Sequence, residues 1–170
     1  GWLEKISYGS GDFGFNLYWT TISAFLLIFY TDSFGLSAAA AGTMLLTTKL
    51  VDAFADPIMG AVAGRTRTKW GRFRPWLLWS ALPFGIIGVL TFTTPEISPA
   101  GKIVYAWTTY ILLRVIYTVN NVPYASLTAV MTLDPDERTS IASYRQIAAN
   151  SAGFIVASLA IPMVKFFGHG

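Results

Sequence analysis

The chain has 170 residues, 54% of them hydrophobic and only 12% charged, with a net charge of +3 and no cysteine. A soluble domain carries about 25% charged residues, so half of a water-facing surface's charge is missing and a soluble globular protein is excluded. Without cysteine, disulfides and thiolate metal sites are excluded as well.

Five apolar stretches are long enough to cross a bilayer, which takes about 20 helical residues. They predict an all-α, polytopic membrane protein with five transmembrane helices. The opening residues Gly1-Trp2-Leu3-Glu4-Lys5 lack a basic start and a cleavage pattern, so no secretory leader is expected. The first span is predicted over about 13–30, ending at the turn Thr31-Asp32-Ser33-Phe34-Gly35. The second, over about 37–63, opens on Ser37 as N-cap.

Arg65, Arg67, Lys69, Arg72 and Arg74 follow in one short loop without an acid, nearly half of the 12 basic residues of the chain. The excess of Lys and Arg places this loop in the cytoplasm, and with it the amino terminus. That clustering suits membrane topology rather than nucleic acid, and no nucleic-acid partner is expected. The third span, over about 75–94, begins with a helix-compatible proline, Pro75, and ends in a Pro- and Gly-marked loop. The fourth, over about 103–130, contains Arg114, Tyr117, Thr118, Asn120, Asn121 and Pro123. The fifth, over about 139–167, carries Arg145 and Pro162, and His169 beyond it is assigned no role.

The second span holds Lys49-Leu-Val-Asp52-Ala-Phe-Ala-Asp56-Pro57 inside its apolar run. Positions 49, 52 and 56 fall at i, i+3 and i+7, so Lys49, Asp52 and Asp56 line one helical face. A charge at the bilayer centre costs about 2.5–3.5 kcal/mol on insertion scales, which makes such residues functional candidates. Two acids one turn apart suit a small cation or a proton; the alternative is a Lys–Asp network that staples neighbouring helices. Asp12 and Asn16 share a face of the first span, as Thr118 and Asn121 do in the fourth, where Arg114 is read as the neutraliser of an acid on a neighbouring helix. Polar stripes on four spans imply a common hydrated cavity, one that suits a polyhydroxyl ligand beside a cation. No nucleophile–base pair and no metal-ligand cluster is visible, so no enzyme activity is expected.

The segments Ser7-Tyr-Gly-Ser-Gly-Asp12-Phe-Gly-Phe-Asn16, Phe29-Tyr-Thr-Asp32, Asp52-Ala-Phe-Ala-Asp56-Pro-Ile-Met-Gly60, Lys69-Trp-Gly-Arg-Phe-Arg-Pro-Trp76 and Tyr117-Thr-Val-Asn-Asn-Val-Pro-Tyr124 occur in order, with Asp136-Glu-Arg138 and Arg145 after them. Together they resemble the glycoside–pentoside–hexuronide:cation symporters of the major facilitator superfamily, over essentially the whole chain. The resemblance implies sugar:cation symport by alternating access in the inner (cytoplasmic) membrane. It implies twelve spans in two six-helix bundles, of which this chain would supply five, as an incomplete N-terminal bundle. The expected partners are a sugar or glycoside, the lipid bilayer and the C-terminal half of the same transporter; no cofactor is expected beyond a coupling ion, H+ or Na+.

By resemblance to the melibiose transporters, Asp52, Asp56 and Thr118 match the cation positions and would be the ligands of Na+ if sodium couples. Asn16, Asn121, Arg145 and Tyr117 match positions lining the sugar site. This sequence departs from that pattern at Ala55, where an asparagine helps bind sodium, and at Asn16 and Asn121, where sugar-binding carboxylates stand. Ala125 replaces a stacking tryptophan, and Gly64 stands where the family often has an acid. Fewer carboxylates point to a hexuronide or a pentoside rather than a galactoside. The competing class is a non-transporting membrane sensor or structural subunit.

Overall fold

The computed structural model describes residues 2–167. It contains five long α-helices: α1 Trp2–Ile28, α2 Ala38–Arg65, α3 Arg74–Thr91, α4 Pro99–Met131 and α5 Pro135–Phe167, with a single π-helical turn, Phe29–Ser33, after α1. The chain is an all-α, polytopic membrane protein. By length and hydropathy alone, the one described segment that meets a strict spanning test is Trp2–Asp32. Polar and charged groups such as Lys49, Asp52, Asp56 and Arg114 lower the mean hydropathy of α2 and α4.

Several helices begin earlier than hydropathy predicts, and the local chemistry explains where. Ser98 accepts a hydrogen bond from the Gly101 amide at 3.2 Å and precedes Pro99, the first residue of α4. Asp134 likewise accepts from the Asp136 amide at 2.9 Å and precedes Pro135, the first residue of α5. A capping side chain followed by proline at the first helical position is a helix start, since that proline lacks only a hydrogen that would be unpaired anyway. The stretch around Ser98, expected to be a Pro- and Gly-marked loop, and the acidic one around Asp134 are therefore caps. Ser37 does the same for α2, accepting from Ala40 at 3.2 Å.

The chain divides into two compact units, residues up to Phe25 together with those from Met131 onward, and Leu26–Val130. In the first unit α1 and α5 run parallel, since Lys5 reaches Ser140 at 3.2 Å and Asp12, further along, reaches Arg145 at 3.0 Å; the Trp2 ring also meets Tyr144 edge-on. Gly9 sits at this contact, where a Cβ would meet the Tyr144 carbonyl oxygen at an ordinary 3.8 Å. These contacts draw the Gly- and Ser-containing segment 7–12 into α1, which is why the first described residues are already helical ahead of residue 13.

In the second unit α3 and α4 are antiparallel: Asn120 donates to Ser80 at 2.9 Å, and the Tyr105 hydroxyl donates to the Leu90 carbonyl at 2.6 Å. Phe29, Tyr30, Phe34, Phe92, Tyr105 and Tyr110 form an aromatic cluster with centroid spacings of 5.2–6.3 Å. In the α2–α3 loop Gly71 closes a tight turn at φ 96°, a left-handed conformation that suits glycine. Its amide bonds the Thr68 carbonyl at 3.0 Å.

Candidate functional site

Within Leu26–Val130, α2 and α4 lie side by side in the same direction. Their contacts recur at a separation of 62 residues: Asp52 with Arg114, then Asp56 with Thr118 one turn on. One further turn brings Gly60 to Val122, whose Cγ1 would lie 3.9 Å from a Cβ on the glycine. One turn before, at the same separation, stand Thr48 and Tyr110, both buried. Partners that keep a constant difference belong to parallel helices, and steps of four keep to one face. A ladder of polar rungs thus closes onto an apolar glycine contact.

The central rung is an ion pair. The Arg114 Nε donates to Asp52 Oδ1 at 3.2 Å, and an Nη of the same guanidinium donates to Oδ2. Both carboxylate oxygens are therefore engaged side-on, the geometry in which a planar guanidinium matches a carboxylate best. The two side chains keep only 12% and 15% of their surface exposed. The ring of Tyr117 lies 5.2 Å from the guanidinium carbon, which adds a cation–π contact.

The alternative, a Lys–Asp network that staples neighbouring helices, is not what forms; the pair is the one expected of Arg114 with an acid on another helix. Lys49 is exposed on α2, and the partner of Asp52 is Arg114, one helix away. The reason is geometric: a lysine at i−3 offers a point charge along its own helix, whereas Arg114 presents two donors from the facing helix.

On the next rung the buried Thr118 hydroxyl donates to Asp56 Oδ1 at 3.0 Å. Asp56 itself is exposed. Of the three residues expected to hold the coupling cation, Asp56 and Thr118 are thus joined directly, while Asp52 is engaged by an arginine. Pro57, just after Asp56, cannot donate the helical hydrogen bond to the Ala53 carbonyl.

The first unit holds a second polar centre. Asp12, on α1, is 1% exposed. Its Oδ1 accepts from Arg145 Nε on α5 at 3.0 Å, and its Oδ2 accepts from Asn16 Nδ2 at 2.9 Å. The Asn16 amide also reaches the Asp12 carbonyl at 2.9 Å. Two expected sugar-site residues, Asn16 and Arg145, are therefore organised by one buried acid that the sequence presented only as a helical neighbour of Asn16. The other two, Tyr117 and Asn121, lie half-buried on α4, on the face that carries Arg114 and Thr118. The neighbouring Asn120 serves instead to tie α4 to α3 through Ser80.

Residues 7–170 match the family described as MFS/sugar transport protein. The chain belongs to that family. Within it, the glycoside–pentoside–hexuronide:cation symporter branch is shown by the relatives. An uncharacterized symporter of Bacillus subtilis is 52% identical over 91% of this chain. A putative glycoside/cation symporter of Escherichia coli is 47% identical over 98%, and an isoprimeverose transporter of Lactiplantibacillus pentosus 41% over 99%. The matches cover 34%, 36% and 35% of those relatives, so this MFS chain spans about a third of their length. These relatives are named as transporters, not as enzymes.

Proposed function

We propose that the protein is a secondary active transporter that couples movement of a sugar or glycoside to a cation gradient by alternating access. Family membership supports the transport class, and the names of relatives, a glycoside/cation symporter and an isoprimeverose transporter, support a glycoside or pentoside as cargo. The observation that carries the assignment of the coupling site is the α2–α4 ladder, where Asp56 and Thr118 share a hydrogen bond one turn from Asp52. Asp52, Asp56 and Thr118 form the cation region, with Asp56 and Thr118 as the groups that meet the ion; Asn16 and Arg145 of the first unit, and Tyr117 and Asn121 of the second, are each assigned to sugar hydroxyls. The bound cation raises the affinity for sugar, and occupancy of both sites permits reorientation, which is coupling through differential affinity of two states. H+ or Na+ is the coupling ion. The site lies in the inner membrane with the amino terminus cytoplasmic, as the five basic residues of the α2–α3 loop direct.

The experiment is uptake of labelled xylosides, glucuronides and galactosides by the intact protein in proteoliposomes under an imposed H+ or Na+ gradient. Accumulation of at least one glycoside above equilibrium is expected. Equilibration without accumulation under either gradient overturns symport.

A further inference from the structure

Asp52 is engaged by the protein itself. Its two oxygens face the Nε and an Nη of Arg114, the pair is mostly buried, and Tyr117 lies over the guanidinium. A hard cation collects about six oxygen ligands at short range. At Asp52 both oxygens are already facing donors, and an arriving ion would stand against a like charge that cannot be titrated away. Ala55, on the following turn, offers no side-chain oxygen. Thr118 has its hydrogen directed to Asp56. The side-chain oxygens left for a metal on these rungs are the two of Asp56 and that of Thr118, three atoms, which with the Ala53 carbonyl freed by Pro57 still fall short of a full sodium shell without water.

We infer that Arg114 is a tethered cation that fills the Asp52 half of the coupling site, excludes sodium from it, and so determines which ion the protein uses. This rests on the symport reading for the place of the site but not for its test. An arginine held by the chain cannot leave, so the charge at Asp52 stays satisfied through the transport cycle and that carboxylate contributes no gradient-sensitive binding. Arg114 is a specificity-determining residue for the ion: it acts by occupying the carboxylate, not by contacting sugar.

The test titrates the purified intact protein with sodium chloride in a calorimeter, with choline chloride at equal ionic strength as the blank and no sugar present. Wild type gives no saturable sodium isotherm. Arg114→Ala frees both oxygens of Asp52 and gives one, with affinity at least roughly tenfold above any wild-type signal, a lower bound for removal of a contacting like charge. Arg114→Gln, closer to the native length, serves as the second variant and shows the same gain. Arg114→Lys keeps the charge and shows none. Saturable sodium binding by wild type, or by Arg114→Lys as tightly as by Arg114→Ala, overturns the inference; so does failure of both neutral variants to bind sodium. Because sodium binding is read without sugar, absence of glycoside transport would remove the symport proposal and leave this result standing.

Discussion

Asp52 and Arg114 stand 62 residues apart in the chain and meet side-on between two parallel helices, with both carboxylate oxygens facing guanidinium nitrogens. The pair fixes the register of α2 against α4, and the register in turn places Thr118 against Asp56 and Val122 against Gly60. One contact therefore sets the packing of the two helices and the geometry of the proposed cation region.

Breaking that contact from one side leaves a buried charge unpaired. Removing one partner of a buried pair costs about 3–5 kcal/mol, and the residual exposure of this one puts the expected loss near the lower end, about 3 kcal/mol. Asp52→Asn and Arg114→Gln are each expected to lower the thermal unfolding midpoint of the intact protein in detergent. The double variant is expected to recover most of the loss, because neither charge is then stranded. A double variant as unstable as the sum of the singles would contradict a direct pair.

Thr118 holds Asp56 through a single hydrogen bond. A hydrogen bond to a charged group contributes about 1.5–3 kcal/mol, which corresponds to roughly tenfold or more in ion affinity. Thr118→Val keeps the shape and removes the donor. It is expected to change by roughly tenfold the driving-ion concentration for half-maximal uptake in proteoliposomes, upward for a sodium ion that loses the Thr118 oxygen as a ligand and downward for a proton that no longer competes with the hydroxyl, with the sugar KM little changed at saturating ion.

Asp12 positions Arg145 and Asn16 together. Asp12→Asn leaves the guanidinium without its carboxylate, so a raised KM for glycoside is expected, while the dependence on the driving ion is retained. Arg145→Lys, which keeps the charge and loses the planar donor pair, is expected to weaken sugar binding as well. Equilibrium binding of labelled glycoside to the two variants separates this from a folding defect.

Gly60 on α2 faces the Val122 side chain of α4. A Cβ at this position would make ordinary contact with Val122 at 3.9 Å, so Gly60→Ala is expected to be tolerated. Gly60→Leu has no such room, and overpacking of this kind costs about 1–3 kcal/mol. Thermal unfolding of the two variants should rank them in that order, with the Leu variant also losing ion-dependent uptake as the ladder shifts.

Much of this was legible from residue spacing. Asp52 and Asp56, one turn apart in an apolar helix, and Thr118 and Asn121 on one face of α4 followed from helical period alone. The expectation that Arg114 neutralises an acid on another helix followed instead from the cost of an unpaired charge within an apolar span. What spacing could not supply was the choice of partner. Lys49 and Arg114 are both within reach of Asp52 on sequence grounds, and only the parallel register of α2 and α4 decides for Arg114. Asp12 was visible as a helical neighbour of Asn16, but its pairing with Arg145 spans 133 residues and depends on α1 and α5 running parallel. The early starts of α4 and α5 could have been read, since Ser98-Pro99 and Asp134-Pro135 are cap-and-proline pairs; hydropathy obscured them because polar caps look like loop.

The most direct measurement compares two modes of the same preparation: gradient-driven accumulation and gradient-free counterflow of a labelled glycoside, for wild type and Asp56→Asn in proteoliposomes. If Asp56 carries the coupling ion, Asp56→Asn loses accumulation and keeps counterflow. Accumulation by Asp56→Asn at the wild-type level would contradict the account.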